Sequence, residues 1–203
     1  MKKVKKALFF ILPLTIILLG VGASVVIKTA SQSRTRIPVI QPVPDFQLSD
    51  QYGHPFGLED LKGQTSVVAF IFTSCQGPCP IMTDNMAQLY HNFGPSKKVR
   101  FVSISVDPEV DTEEVLQSYA QRFRIPSNAN WYFLRGPIET IAHLSEEGFL
   151  LPAEQLPMGH STRLVLVDKD GNIRGYYNGT EETSIAALKT DLKELVRQSE
   201  NPS

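Results

Sequence analysis

The run Ser-Val-Val-Ala-Phe-Ile-Phe at 66–72 constrains the fold of this chain more than any other stretch. It is uncharged, β-branched and aromatic, and far too short to cross a membrane. Such a run reads as a strand with both faces covered. A strand of that kind lies inside a sheet that carries helices on its faces. The downstream pattern agrees. Met82, Met86, Leu89, Tyr90 and Phe93 mark one face of a helix over 80–93, and VRFVSISV at 99–106 is a second strand. A helix over 111–123 turns Val115, Leu116, Tyr119 and Phe123 inward, and WYFL at 131–134 is a short strand. Pro137 opens a helix over 137–146, as Pro does at a first helical position. RLVLVDKDGNIRGYY at 163–177 reads as two antiparallel strands around Asp170-Gly171, and a helix over 181–196 follows. Upstream, 45–58 alternates around Gly53 as a hairpin.

A β-α-β half followed by a β-β-α half is the thioredoxin arrangement. The expected class is therefore α/β: a thioredoxin-like fold, a mixed central sheet flanked by helices, over 45–198 with a tail at 199–203. The 203 residues, 42% hydrophobic and 20% charged, suffice for one domain with a proper core. The net charge of -1, with no basic stripe, argues against nucleic acid as a partner.

The first residues add a location. Lys2, Lys3, Lys5 and Lys6 form a basic segment at 1–6, and 7–27 carries no charge. At about 1.5 Å per helical residue this run is long enough to span a bilayer. The lysines stay cytoplasmic, so the domain faces the extracytoplasmic side of the cell's inner membrane. The alternative is a signal peptide cleaved near Val21-Gly22-Ala23. Either form exports the domain. Residues 28–44, with Pro38, Pro42 and Pro44, read as an extended tether.

Both cysteines stand in FTSCQGPCP at 72–80, between the central strand and the next helix. Export permits a disulfide. Two cysteines make no disulfide framework, and a bridge so local stabilises little. Redox chemistry and metal binding remain. Cys79 next to Pro80 sits at a helix entrance, where free N–H groups and the helix dipole favour a thiolate. The spacing is C-x-x-x-C, wider than the C-x-x-C of thioredoxin-like oxidoreductases. Two sulfurs suit Cu(I), and an added imidazole suits Cu(II). Among the four histidines, His54, His91 and His143 read as surface or packing residues. His160, in LPMGHSTRLVLV, precedes a strand in the loop that faces the dithiol in this arrangement. It is the candidate third ligand, the alternative being a surface loop histidine. Oxidoreductases of this fold carry a cis proline in that loop; the position falls near Thr162. Met82 and Met86 read as core, and Met158 as a looser thioether candidate. The opening PDFQLSDQYGHPFGLEDLKGQ resembles that of peroxiredoxin-like peroxidases, but no proline stands where their Thr/Pro-x-x-x-Thr/Ser-x-x-Cys pattern needs one.

Three segments in order, FTSCQGPCPIMT, FVSISVDPEVDTEEVLQSYAQRF and GHSTRLVLVDKDG, resemble the Sco (Sco/SenC) family of membrane-anchored, thioredoxin-like copper-binding proteins of cytochrome c oxidase assembly. The likeness runs over 44–196. It implies one copper, Cu(I) or Cu(II), on Cys75, Cys79 and His160, and a docking or outer role for Asp107. The alternative for Asp107 is a turn cap before Pro108. The resemblance further implies subunit II of cytochrome c oxidase (its CuA domain) as partner, with other copper chaperones or thiol reductants. The chain departs from the family at Gln76-Gly77-Pro78, where Pro-Asp-Val or similar is frequent. The expected activity is that of a metallochaperone and not of an enzyme. The alternative is a thiol-disulfide oxidoreductase acting on the CuA cysteines.

Overall fold

Residues 37–200 are described by the structure, a computed structural model. In chain order the elements are β1 (Gln41–Pro42), β2 (Gln47–Ser49), β3 (Pro55–Gly57), α1 (Leu58–Leu61), β4 (Thr65–Ile71), α2 (Pro78–Phe93), β5 (Val99–Ser105) and α3 (Glu113–Arg122). They continue with β6 (Trp131–Leu134), α4 (Ile138–His143), β7 (Arg163–Val167), β8 (Asn172–Asn178) and α5 (Glu182–Glu200). The basic segment, the apolar run and the first part of the tether lie outside the described residues. Among the described residues no helix is long and apolar enough to cross a membrane.

All seven residues of β4 are buried, as a continuous apolar run requires. β4 pairs in parallel with β5, and β5 in parallel with β6. Its other edge takes β7 antiparallel, and β7 takes β8. The sheet order is β1-β8-β7-β4-β5-β6, a mixed sheet of thioredoxin type. β2 and β3 form the separate hairpin expected around Gly53. Gly171, at φ +84°, makes the turn between β7 and β8 that a side-chain-bearing residue would strain. Helix α5 buries Leu188, Leu192 and Leu195, and α2 buries Met82, Met86 and Leu89. Trp131 is 1% exposed and stacks on Phe133 at 5.6 Å, with its Nε1–H on Ser103 Oγ.

Four expectations are corrected. Residues 37–44 belong to the sheet domain and not to a tether: Gln41 and Pro42 pair with β8, Val43 is buried, and the Gln41 amide donates to the Glu147 and Gly148 carbonyls. Helix α2 begins at Pro78, not Pro80. Pro80 then falls within the first turn, where N–H groups have no helical partner to lose. The helix expected over 137–146 closes its α-helical part at His143 and widens into a π turn, Leu144–Gly148, marked by Phe149 N–H on the Leu144 carbonyl. Helix α3 begins after its cap Thr112, which leaves Asp111 outside it.

Candidate metal centre

Because β4 and β5 run parallel and β7 antiparallel, three loops converge on one end of the sheet. They are 72–77 after β4, 106–112 after β5 and 156–162 before β7. The first is pinned to the second where Val106 N–H meets the Ile71 carbonyl. The third is tied to the end of β8, where Gly179 N–H donates to the Thr162 carbonyl at 2.9 Å.

The sulfur atoms of Cys75 and Cys79 and a ring nitrogen of His160 all lie within 4.8 Å of one another. Both thiols are free. Gly77 caps α2 and Pro78 opens it, which places Cys79 one residue into the first turn, fully buried. Cys75 sits half-buried in the loop. Its N–H turns back to the Phe72 carbonyl, and its sulfur accepts the Gly77 N–H at 3.4 Å. The residues Gln76-Gly77-Pro78 thus form a turn that folds Cys75 over the helix start. The Cys79 sulfur lies 3.2 Å from His160 Nε2, across 81 positions of sequence.

His160 is oriented from two sides. Its Nδ1–H donates to the Ser161 carbonyl at 3.1 Å, which leaves the lone pair on Nε2, toward the sulfurs. Its ring stands edge-on to Phe72 at 5.3 Å. Burial holds the imidazole below its ordinary pKa of 6.5, so it is neutral and a competent ligand at physiological pH.

Cys79 corrects the expectation of a thiolate. Burial pushes its thiol up to about 12, and the neighbouring Cys75 and the charge of Asp111 act in the same direction against the Phe72 backbone contact. Desolvation outweighs the helix terminus, whose favour is at most a couple of kcal/mol. In the metal-free site Cys79 S–H donates to His160 Nε2, a neutral pair. A soft cation that replaces the thiol proton restores the charge that burial disfavours.

Asp107 lies on the adjacent loop, outside the three-ligand group. Its carbonyl accepts the Val110 and Asp111 N–H groups, and its own N–H donates to Ser105 Oγ. Partial burial, with the carboxylates of Asp111 and Glu109, holds its carboxyl above the usual range. Its backbone therefore builds the turn before α3. His54 is exposed beside Asp50, and His91 and His143 are exposed on their helices. Met82 and Met86 are core, and Met158 is 79% exposed. Asp111 was not legible as a site residue. It is wholly buried and accepts hydrogen bonds from Thr73 and Ser105. The only local signal was an Asp one residue before a cap-forming Thr.

Two sulfurs and one imidazole in this span fit a single soft cation with bonds of about 2.0–2.3 Å. The SCO1/SenC family model matches residues 37–197. The SCO1 protein homolog of Bacillus subtilis is 34% identical over 162 residues, 77% of this chain and 83% of its own length. BsSco, solved as a member of the Sco family of cytochrome c oxidase assembly proteins with a disulfide switch, is 31% identical. It superposes with a TM-score of 0.69 over 79% of this chain and 96% of that one. Copper-bound ScoI of Bradyrhizobium japonicum is 26% identical, with a TM-score of 0.64 over 76% of this chain and 99% of that one. The family match spans the whole sheet and all three loops of the thiol site, and this chain belongs to the SCO1/SenC family.

Proposed function

We propose that the domain carries one copper on Cys75, Cys79 and His160 and delivers it to the CuA site of cytochrome c oxidase subunit II. The reading rests on one observation above all: the 3.2 Å approach of His160 Nε2 to the Cys79 sulfur, with Cys75 in the same group. A bare dithiol needs no imidazole there. Copper is cargo, not a catalyst. A partner thiolate makes one sulfur–metal bond as one of this chain's is broken, and no electrons move. Cys75, the less buried of the two thiols, is the sulfur a partner reaches first; Cys79 and His160 are the retained ligands. The basic segment and apolar run at 1–27 support a membrane tether, with the domain held on the extracytoplasmic face.

A second reading is favoured by the two free thiols. Cys75 and Cys79 reduce a partner disulfide by giving it two electrons and two protons, and close their own bridge. The two readings separate at His160. In copper titrations under reducing conditions, wild type binds one equivalent, while Cys75→Ser, Cys79→Ser and His160→Ala each lose about tenfold or more in affinity. Full affinity in His160→Ala would sink the three-ligand site. Disulfide exchange that is intact in His160→Ala and absent in Cys75→Ser would favour the reductase.

A further inference from the structure

The thiol site stands on a loop whose departure from β4 is fixed by a group outside the three ligands. Asp111 is 0% exposed. Its Oδ1 receives the Thr73 hydroxyl at 2.5 Å, and both oxygens lie 3.2–3.3 Å from the Thr73 N–H. Its Oδ2 receives the Ser105 hydroxyl at 2.5 Å. That Ser105 oxygen already accepts the Asp107 N–H, so its single proton goes to Asp111. Two hydroxyls and an amide N–H therefore converge on one side chain, and all three donate. An acceptor-only group is required, and O–H···O contacts this short are those of hydrogen bonds to a carboxylate.

Asp111 is itself held in place. Its N–H donates to the Asp107 carbonyl, and its carbonyl accepts Arg135 Nε at 3.0 Å. Arg135 also holds the Pro108 carbonyl through Nη2 and pairs with Ser49 of β2. The anchorage runs from the β2 hairpin through Arg135 and Asp111 to Thr73, two residues before Cys75. Cys75 itself is held by local contacts, its N–H on the Phe72 carbonyl and its sulfur accepting the Gly77 N–H. Thr73 is thus where the loop is tied to the sheet by something other than itself.

We propose that Asp111 is the positioning residue of the thiol site: its buried carboxylate fixes Thr73 against the end of β5, and so sets the approach of Cys75 to Cys79 and His160. This rests on the copper reading for its metal readout, but the closing of the Cys75–Cys79 bridge reports the same geometry without metal.

The test uses Asp111→Asn, which keeps the shape but sets an NH2 donor against one of the two hydroxyls in place of an acceptor oxygen, and Thr73→Val, which removes one donor. Both are made in the exported domain and checked for folding by far-ultraviolet circular dichroism. Expected for Asp111→Asn is a loss of about tenfold or more in copper affinity, the size seen when an outer partner of a ligand is lost. The sulfur-to-copper absorption should also be shifted, and Cys75–Cys79 oxidation by glutathione disulfide should be altered severalfold. Thr73→Val should move each readout the same way by less, and the double variant should add little to Asp111→Asn, since both cut one contact. Asp111→Asn that is merely less stable, with wild-type absorption, affinity and oxidation equilibrium, overturns the proposal. If wild type fails to bind copper, the copper reading falls and the oxidation equilibrium still decides on Asp111. Should Asp111→Asn not fold, Thr73→Val decides alone: unchanged absorption and oxidation would then refute the role.

Discussion

At the scale of single residues, burial sets the chemistry of Cys79 and His160 in opposite senses, with a consequence for stability. Cys79 holds its proton more tightly in the folded domain, up to about 12 against an ordinary 9.0. Its contribution is complete below 9.0 and is lost as pH rises toward 12, because the unfolded chain releases that proton first. His160 is held below 6.5, so the unfolded chain takes up a proton first as pH falls. Its contribution is complete above 6.5 and lost below. The metal-free, reduced domain should show a plateau in urea midpoint between these limits. Tyr119, raised from 10.0 to about 12, joins the alkaline limb only later. The first loss above 9.0 therefore belongs to Cys79, and Cys79→Ser should remove it. An unchanged alkaline onset in Cys79→Ser would show that the thiol ionises freely.

Residue type and spacing made much of the site legible: Cys75, Cys79 and His160 were each nameable from their segments. Their protonation was not, because a helix entrance is a local feature and desolvation depends on everything packed around the sulfur. Asp111 was hidden for a similar reason. It reads as the first residue of a helix, and only the convergence of β4 and β5 brings Thr73 and Ser105 to it.

At the scale of elements, the long apolar and amphipathic runs could be read directly, since a strand or helix with a dedicated face needs little from its surroundings. Boundaries depended on neighbours. Pro78 and Pro80 both suit a first turn, and the loop around Gly77 decides between them. The junction of β8, α2 and the His160 loop is fixed by Gly179. A Cβ there would stand 2.8 Å from Met82 Cγ and 3.0 Å from the Thr162 carbonyl, which already accepts the Gly179 N–H and has no freedom to move away. The Asn85 amide holds the Gly179 carbonyl from the other side. Gly179→Ala should cost about 1–3 kcal/mol, the range of an overpacked contact. It should also loosen the loop that presents His160. Equilibrium urea unfolding measures the first, and a midpoint equal to wild type would mean that α2 gives way freely.

At the scale of the whole molecule, the sheet begins earlier than the proline-containing tether implied. β1 covers the open edge of β8, with Ile40 and Val43 N–H groups on the Ile173 and Gly171 carbonyls. Arg174 reaches the Ile37 and Pro38 carbonyls while paired with the buried Asp168 at 2.7 Å. A chain begun at Asp45 would lose these contacts and bare a strand edge. It should melt lower than one begun at Ile37 and self-associate more, by differential scanning calorimetry and light scattering. Equal melting would return 37–44 to the role of a free linker.

The sequence by itself determined the covered central strand, the order of strands and helices, and a C-x-x-x-C pair at a helix entrance with His160 as a candidate third ligand. These follow from hydrophobic period and residue chemistry, which act over a few positions. Only the tertiary structure decided that His160 meets Cys79 across 81 residues, that Cys79 keeps its proton, and that Asp111 ties down the thiol loop. Each depends on groups brought together by the sheet, and no local pattern encodes which distant atoms will surround a buried one.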